Sequence, residues 1–381
     1  MKLIHLSDLH IGKVVNGFSM LEDQMDILIK ILRIIDDEKP DGVIIAGDVY
    51  DKNTPSADAV QVFDDFLYKL SQRDLTIFII SGNHDSPERL SFGSRIMNHS
   101  GIHLSRTYGR ESKKIEPITM EDEYGKLDVF LLPFIRPAVV KSCFPEEAIK
   151  TYTDAIRTAI NNMLVDTSRR NIIIAHQFII GATPCDSEEI LSVGGTDGVE
   201  ASVFDKFDYV ALGHLHNPQS VVRETIRYCG TPLKYSFSEI NHRKSVTVIE
   251  LQNKGDLIEI REIPLIPKRD MREIRGEYNT LASKSFYEGT NLDDYLHVIL
   301  TDETDVKDAL RLLSTIYKKI MKLEYDNSRT KASLTLPEHT PEKDPRDVVS
   351  DFFKSQNGKE MSEEQREFVS NLVIEIWRNN E

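Results

Sequence analysis

Short aliphatic runs recur along the first part of this chain, and the residues that end them are chemically alike. Residues 2–6, 43–46, 76–80, 172–175 and 209–212 have the length and β-branched content of buried strands. They end in Ser7-Asp8-Leu9-His10, Gly47-Asp48, Gly82-Asn83-His84-Asp85, His176-Gln177 and Gly213-His214-Leu215-His216. Helical spacing separates them: Leu21, Met25, Leu28, Ile29, Leu32 and Ile35, then Val60, Phe63, Leu67 and Leu70, then Ala155, Ile156, Ile160 and Leu164. Ser86-Pro87 reads as the cap and first residue of a further helix, 87–98. Strand-helix alternation of this kind builds an α/β sheet that gathers chemistry at the carboxyl ends of its strands.

Beyond these runs, 127–132 reads as a strand, and the strand-like alternation with turns through Gly230-Thr231-Pro232 and Ser245 to Leu251 suggests a second sheet. Pro264 and Pro267 break the pattern, so the large domain is expected to span 1–267. Strand-like segments at 271–274, 295–300 and 322–325, with a helix over 305–316, predict a small α+β module at 268–328. A polar stretch rich in Thr, Glu and Pro makes 329–344 a linker. Two amphipathic helices fill 345–381, the first showing Val348, Val349, Phe352 and Phe353, the second Phe368, Leu372, Val373, Ile376 and Trp377. So small a helical pair cannot bury both faces by itself, so its aromatic side is expected to dock on something else.

Composition narrows the reading. The 381 residues are 40% hydrophobic and 29% charged, as in soluble globular proteins. A formal charge of -15 excludes a protein held on nucleic acid by its overall field, so such a role needs bound cations, a local basic patch or a partner. Three cysteines without a close pair point to a reducing compartment and no thiolate metal site. His5 and Asp8 interrupt the first apolar run too early for a signal peptide, and a cytoplasmic location is expected.

Carboxylate, amide and imidazole donors at five strand ends suit two divalent cations, with Asp48 as the carboxylate shared between them. Two cations about 3.5–4 Å apart polarise phosphoryl oxygens and acidify a water, which is what hydrolysis of a phosphate ester requires. The donor mixture fits Mn²⁺ or Fe²⁺ better than a thiolate-seeking ion or an all-oxygen Ca²⁺ site, and leaves zinc open. Asp8 and His10 share one side of the chain if the extended conformation persists past residue 6. Of eleven histidines, His5, His99, His103, His242, His297 and His339 lie away from strand ends and read as surface or packing residues.

The ordered set Asp8-x-His10, Gly47-Asp48-x-x-Asp51, Gly82-Asn83-His84-Asp85, His176 and Gly213-His214-x-His216 resembles the calcineurin-like metallophosphoesterase superfamily over roughly the first 220 residues. The resemblance implies an αββα sandwich of two mixed sheets. It places one metal on Asp8, His10, Asp48 and His216, and the other on Asp48, Asn83, His176 and His214. His84 then resembles the superfamily's catalytic histidine, which protonates the leaving oxygen, with Asp85 either orienting it or serving as a turn acid. Lys52-Asn53 after Asp51, and Asp85 after His84, depart from the protein-phosphatase branch.

Gly47-Asp48-Val49-Tyr50-Asp51, Leu132-Pro133-Phe134-Ile135-Arg136-Pro137, and Gly230-Thr231-Pro232 leading to Ser236-Phe237-Ser238-Glu239 are similar to the SbcD family of nuclease subunits. This implies a Mn²⁺-dependent DNA exonuclease and endonuclease acting at double-strand ends and hairpins. It implies a homodimer assembled with two copies of the ATPase SbcC, a capping domain at 268–328, and a helix-loop-helix at 345–381 that docks on SbcC. Archaeal relatives carry His at the position of Asp51, so no DNA contact is transferred there. The alternative is a stand-alone metallophosphodiesterase for small or cyclic nucleotides.

Overall fold

The computed structural model describes residues 1–188, 198–328, 330, 344–357 and 359–378. It divides into two compact units, Met1–Asp270 and Met271–Glu381. The first is built on two six-stranded sheets. One runs Glu259–Pro264, Ser245–Glu250, Lys2–Leu6, Gly42–Ala46, Thr76–Ile80, Ile102–Leu104. The other runs Gln219–Val221, Arg223–Tyr228, Tyr209–Gly213, Arg170–His176, Gly125–Leu131, Ile118–Asp122. The four strands from Lys2 to Leu104 pair in parallel, as do the four central ones of the second sheet, and antiparallel strands finish the edges.

Alternation explains how the sheets stack. Leu3, Ile44, Phe78 and Ile80 meet Val129, Ile172, Ile174 and Ala211 in one apolar layer between the sheets. On the far face of the second sheet, Phe130, Ile173 and Val210 pack with Ile156 and Ile160 of the helix Tyr152–Asn161. Ile4, Val43, Ile45, Ile77 and Ile79 point away from the inter-sheet layer and are also buried. The helices Leu21–Glu38 and Ala57–Ser71 are the crossovers on that side, completing the αββα order. All five ligand-bearing strand ends thus open at one end of the sandwich, three from one sheet and two from the other.

Several expectations need correction. The buried stripe of the first helix is Ile27, Leu28, Ile31, Leu32 and Ile35 with Asp23 and Gln24, while Met25 and Ile29 are exposed. Val60 is likewise exposed, and Phe66 takes its place inside. The helix expected over 87–98 is broken into Pro87–Leu90 and Ser94–Met97 by Gly93 at φ 74°. Leu164 lies beyond its helix and is exposed. The strand Ser245–Glu250 does not found a second sheet but returns antiparallel beside Lys2–Leu6. His5 is a packing residue, fully buried with Nδ1 3.1 Å from the Tyr209 hydroxyl.

The second unit holds three parallel strands, Met271–Gly276, Tyr295–Leu300 and Ile320–Tyr325. Ile274, Leu296, Val298, Leu300, Leu313 and Tyr317 form its core. The helix expected at 305–316 is confined to Ala309–Leu313, because Asp308 takes a left-handed φ of 56°. His297 is buried between Glu273 (3.3 Å) and Glu324 (2.8 Å) across the sheet. The helices Pro345–Asn357 and Glu363–Arg378 follow. Phe353, Met361, Phe368 and Val369 line an apolar hollow. Except for Thr330 and Asp344, the expected linker lies outside the described residues, as do the side chains of Ile376 and Trp377.

The strand that delivers His176 starts at a buried guanidinium. Arg170 donates to both carboxylate oxygens of Asp122, to the Gly125 carbonyl, and to the Leu251 carbonyl at 3.4 Å. Burial alone would lift the Asp122 carboxyl, but Arg170 and the Met1 amino group outweigh it and lower it to about 2. Replacing Asp122 with Asn is expected to cost about 1–3 kcal/mol at neutral pH, as a buried charge loses its acceptor. The folded-state value is depressed, so the wild-type advantage is complete above pH 4 and shrinks as pH falls towards 2. Urea unfolding of both proteins across that range measures it.

Candidate metal centre

The loops that follow the strands are tied to one another by their main chains before any side-chain chemistry begins. Asp8 N–H donates to Gly47 C=O (3.0 Å), His10 N–H to Asp48 C=O (2.9 Å), and Ile11 N–H to Val49 C=O (2.9 Å). The expectation that Asp8 and His10 continue an extended strand is wrong. Asp8, His10 and Asp48 have φ of 51°, 44° and 47°, and His214 has 105°. Left-handed backbone at residues other than glycine costs about 1–3 kcal/mol each and persists only where surroundings impose it. Here the surroundings include Gln24, whose side chain donates to His10 C=O (2.7 Å) and accepts from Gly12 N–H (2.9 Å).

Two glycines allow the loops to meet. A Cβ on Gly82 would lie 2.1 Å from Asp48 Oδ1, and one on Gly213 would lie 1.9 Å from Ala46 O. The main chains of the two sheets therefore touch where the ligand-bearing loops begin.

All seven expected metal ligands converge. Asp8, Asp48 and His176 form one cluster and Asp8, His10 and His216 another, with donor atoms in each mutually within 4.8 Å. Asp48 Oδ2 lies 3.3 Å from His176 Nε2 and 3.7 Å from His10 Nε2, placing it between the two groups. His10 Nε2 and His216 Nε2 are 3.1 Å apart. Asn83 Oδ1 is 3.0 Å from both His176 Nε2 and His214 Nδ1. Apart from Asn83, which is half-buried, these residues are buried.

Hydrogen bonding fixes which imidazole nitrogen faces the centre. His176 Nδ1–H donates to Ala46 C=O at 2.8 Å, since a carbonyl only accepts, and this turns Nε2 towards Asp48, Asp8 and Asn83. The centre thus gathers carboxylates and imidazoles that need positive charge among them. Burial raises the Asp8 carboxyl, while Asp48 is held low because neighbouring imidazoles outweigh its burial. Burial opposes charge on His176, yet Asp48 and Asp8 push it up to about 9. These residues fit divalent cations. A cation satisfies converging lone pairs of carboxylate, amide and imidazole together, where a proton serves only two.

His84 sits at the rim, half-buried, its ring 4.8 Å from that of His10. Its N–H donates to Asp48 Oδ1 (2.9 Å) and its Nδ1–H to Asp51 C=O (2.9 Å), leaving Nε2 facing the centre, 4.0 Å from Asp48 Oδ2. The orienting group is therefore the Asp51 carbonyl. Asp85 is the turn acid: its carboxylate accepts the amides of Val49 (3.1 Å), Tyr50 (2.9 Å) and Gly82 (3.0 Å). The Asp51 side chain pairs with Lys13 at 2.8 Å. Gln24 and Asp51 carried no strand-end signal that would have assigned them these supporting roles.

Two sheets, strand-end loops and a shared aspartate define a metal-binding phosphoesterase. The calcineurin-like phosphoesterase family matches residues 1–218, and the Type 5 capsule protein repressor C-terminal domain matches 267–357. The chain is 32% identical over 379 residues, 98% of each sequence, to the SbcD subunit of the nuclease SbcCD from Staphylococcus epidermidis. It belongs to the SbcD family of nuclease subunits, within the calcineurin-like phosphoesterases. Among solved structures, a dimetal phosphatase from Danio rerio aligns over 70% of this chain and 96% of its own at 12% identity and TM-score 0.44. An archaeal phosphodiesterase aligns over 70% and 100% at 15% identity and TM-score 0.32. At those scores neither adds to the assignment.

The Gly213 contact is testable. Gly213→Ala forces a side chain into the Ala46 carbonyl, which must displace backbone on both sheets. A loss of about 3 kcal/mol or more in chemical denaturation is expected, large for so small a change.

Proposed function

We propose that this chain is the nuclease subunit of an ATP-dependent complex that cleaves DNA phosphodiester bonds at double-strand ends and hairpins. The observation that carries the reading is the pair of donor clusters that meet at Asp8, with Asp48 lying between their histidines and His84 at the rim. Asp8, His10, Asp48 and His216 would hold one Mn²⁺, and Asp48, Asn83, His176 and His214 a second. When bound, the ions polarise the phosphoryl oxygens and lower the pKa of water at the centre.

The chain's own residues supply the rest. Asp51 C=O anchors His84 through Nδ1, so Nε2 is the atom that carries a proton towards the substrate side. Delivered to the departing sugar oxygen, that proton avoids an alkoxide. Asp85 keeps the loop bearing His84 in register with that of Asp48 by collecting amides from both. The mixed nitrogen and oxygen donors suit manganese, and the activity is that of an exonuclease and an endonuclease.

The relative's name describes a subunit of SbcCD, and the two family matches extend from residue 1 to 357. That extent favours a nuclease subunit over a stand-alone enzyme for cyclic nucleotides. In this reading residues 1–267 are the nuclease domain, 268–328 cap it, 329–344 link, and 345–381 dock on SbcC. The assembly is a heterotetramer of two copies each, built on a homodimer of this chain, working in the cytoplasm in DNA repair, recombination and replication. With a net charge of -15, the chain leaves most phosphate contacts to the ions and to SbcC. The exposed Phe352 and Phe368 support docking of the last two helices in a groove of that partner.

His84→Ala should retain wild-type manganese stoichiometry while turnover on a hairpin duplex falls by about 10²–10⁴; undiminished turnover removes His84 from the chemistry. Truncation after Pro341 is expected to leave hydrolysis of bis-p-nitrophenyl phosphate within a few-fold of the full chain and to abolish co-purification with SbcC. Retained co-purification places the partner elsewhere.

A further inference from the structure

The segment Ser236-Phe237-Ser238-Glu239 has no part in the chemistry above, yet Glu239 is fully buried within reach of a metal-site histidine. Its carboxylate accepts from the Lys244 ammonium, from Tyr235 N–H (3.1 Å) and from the Ser187 hydroxyl (2.7 Å). Ser187 Oγ in turn lies 2.6 Å from His216 Nδ1. Lys244 also donates to His216 C=O (2.8 Å) and to Thr231 Oγ1 (2.7 Å), and Glu188 Oε1 accepts His216 N–H (2.6 Å). His216 is thus gripped at its ring and its amide by the half-buried Ser187 and Glu188, and at its carbonyl by the buried Lys244.

With His216 a neutral imidazole, and with the Ser187 hydroxyl preferring a carboxylate to the Cys185 sulfur 3.1 Å away, one proton arrangement satisfies the network. A carboxylate in contact with an ammonium accepts and does not donate, so the single Ser187 proton points to Glu239. The Ser187 lone pair is then left for His216, whose Nδ1 must carry the hydrogen. Nε2 is left bare, facing His10 Nε2 at 3.1 Å. The reverse arrangement puts a lone pair against the carboxylate and a hydrogen on Nε2, where it blocks coordination.

We propose that Ser187 and Glu239 are positioning residues that lock His216 in the Nδ1–H tautomer and so set the affinity of the ion held by Asp8, His10, Asp48 and His216. The inference rests on the two-ion reading above. Groups of this kind alter metal affinity about 10–100-fold when removed. The ion on Asn83, His176 and His214 is outside the reach of the network, since His176 takes its tautomer from Ala46.

The test is Mn²⁺ titration of the full chain followed by electron paramagnetic resonance of free ion, with melting temperature measured in chelator. Ser187→Ala should weaken one of two ions about 10–100-fold, leave the other unchanged, and melt as wild type does without metal. Ser187→Thr, which keeps the hydroxyl, should restore the lost affinity. Glu239→Gln should weaken the same ion, although it also strips Lys244 of its partner, so Ser187 carries the decision. Two wild-type affinities in Ser187→Ala overturn the proposal, as does equal weakening of both ions with a lowered metal-free melting temperature. A wild-type chain that takes up fewer than two ions overturns the two-ion reading itself, and the inference falls with it.

Discussion

The crowding of buried carboxylates and imidazoles around one point, which only positive charge among them can balance, is the constraint on which the rest of this structure depends. Two carboxylates, an amide oxygen and four imidazoles do not approach one another in a protein interior without compensation. The fold forces them together with main-chain ties: paired amides and carbonyls along the loops after Leu6 and Ala46, and amide donors from His84 and His214 to the aspartates. Each tie uses a backbone group that a loop must satisfy in any case. The cost of crowding is thereby spread over the whole sandwich, and the apolar layer between the sheets sustains it.

Much of this was legible in the chain. Every expected ligand sits at the end of an aliphatic run, and burial of both faces of the parallel strands leaves polar groups to the strand ends. What could not be read was the local geometry. Left-handed φ at Asp8, His10 and Asp48 has no periodic signature, so an extended continuation was the natural expectation. Nor does spacing say which strands share a sheet. Ser245–Glu250 looks like the start of something new, yet long-range pairing returns it to the first strand.

Supporting residues were the least visible. Gln24 lies on a helix where it passes for a surface glutamine, and its burial follows from a stripe rotated away from Met25 and Ile29. Asp51 acts through its carbonyl, which no side-chain pattern can announce. Conversely, Asp85 advertised itself beside His84 and proved to serve the backbone, a common outcome for a short carboxylate at a tight turn.

The contact at Gly213 has a wider meaning. Because bare main chain from one layer abuts the carbonyl of Ala46 in the other, the gap separating the two halves of the pocket is dictated by covalent backbone dimensions rather than by the ions that fill it. The span of the receptacle is therefore laid down by peptide geometry before any cation arrives.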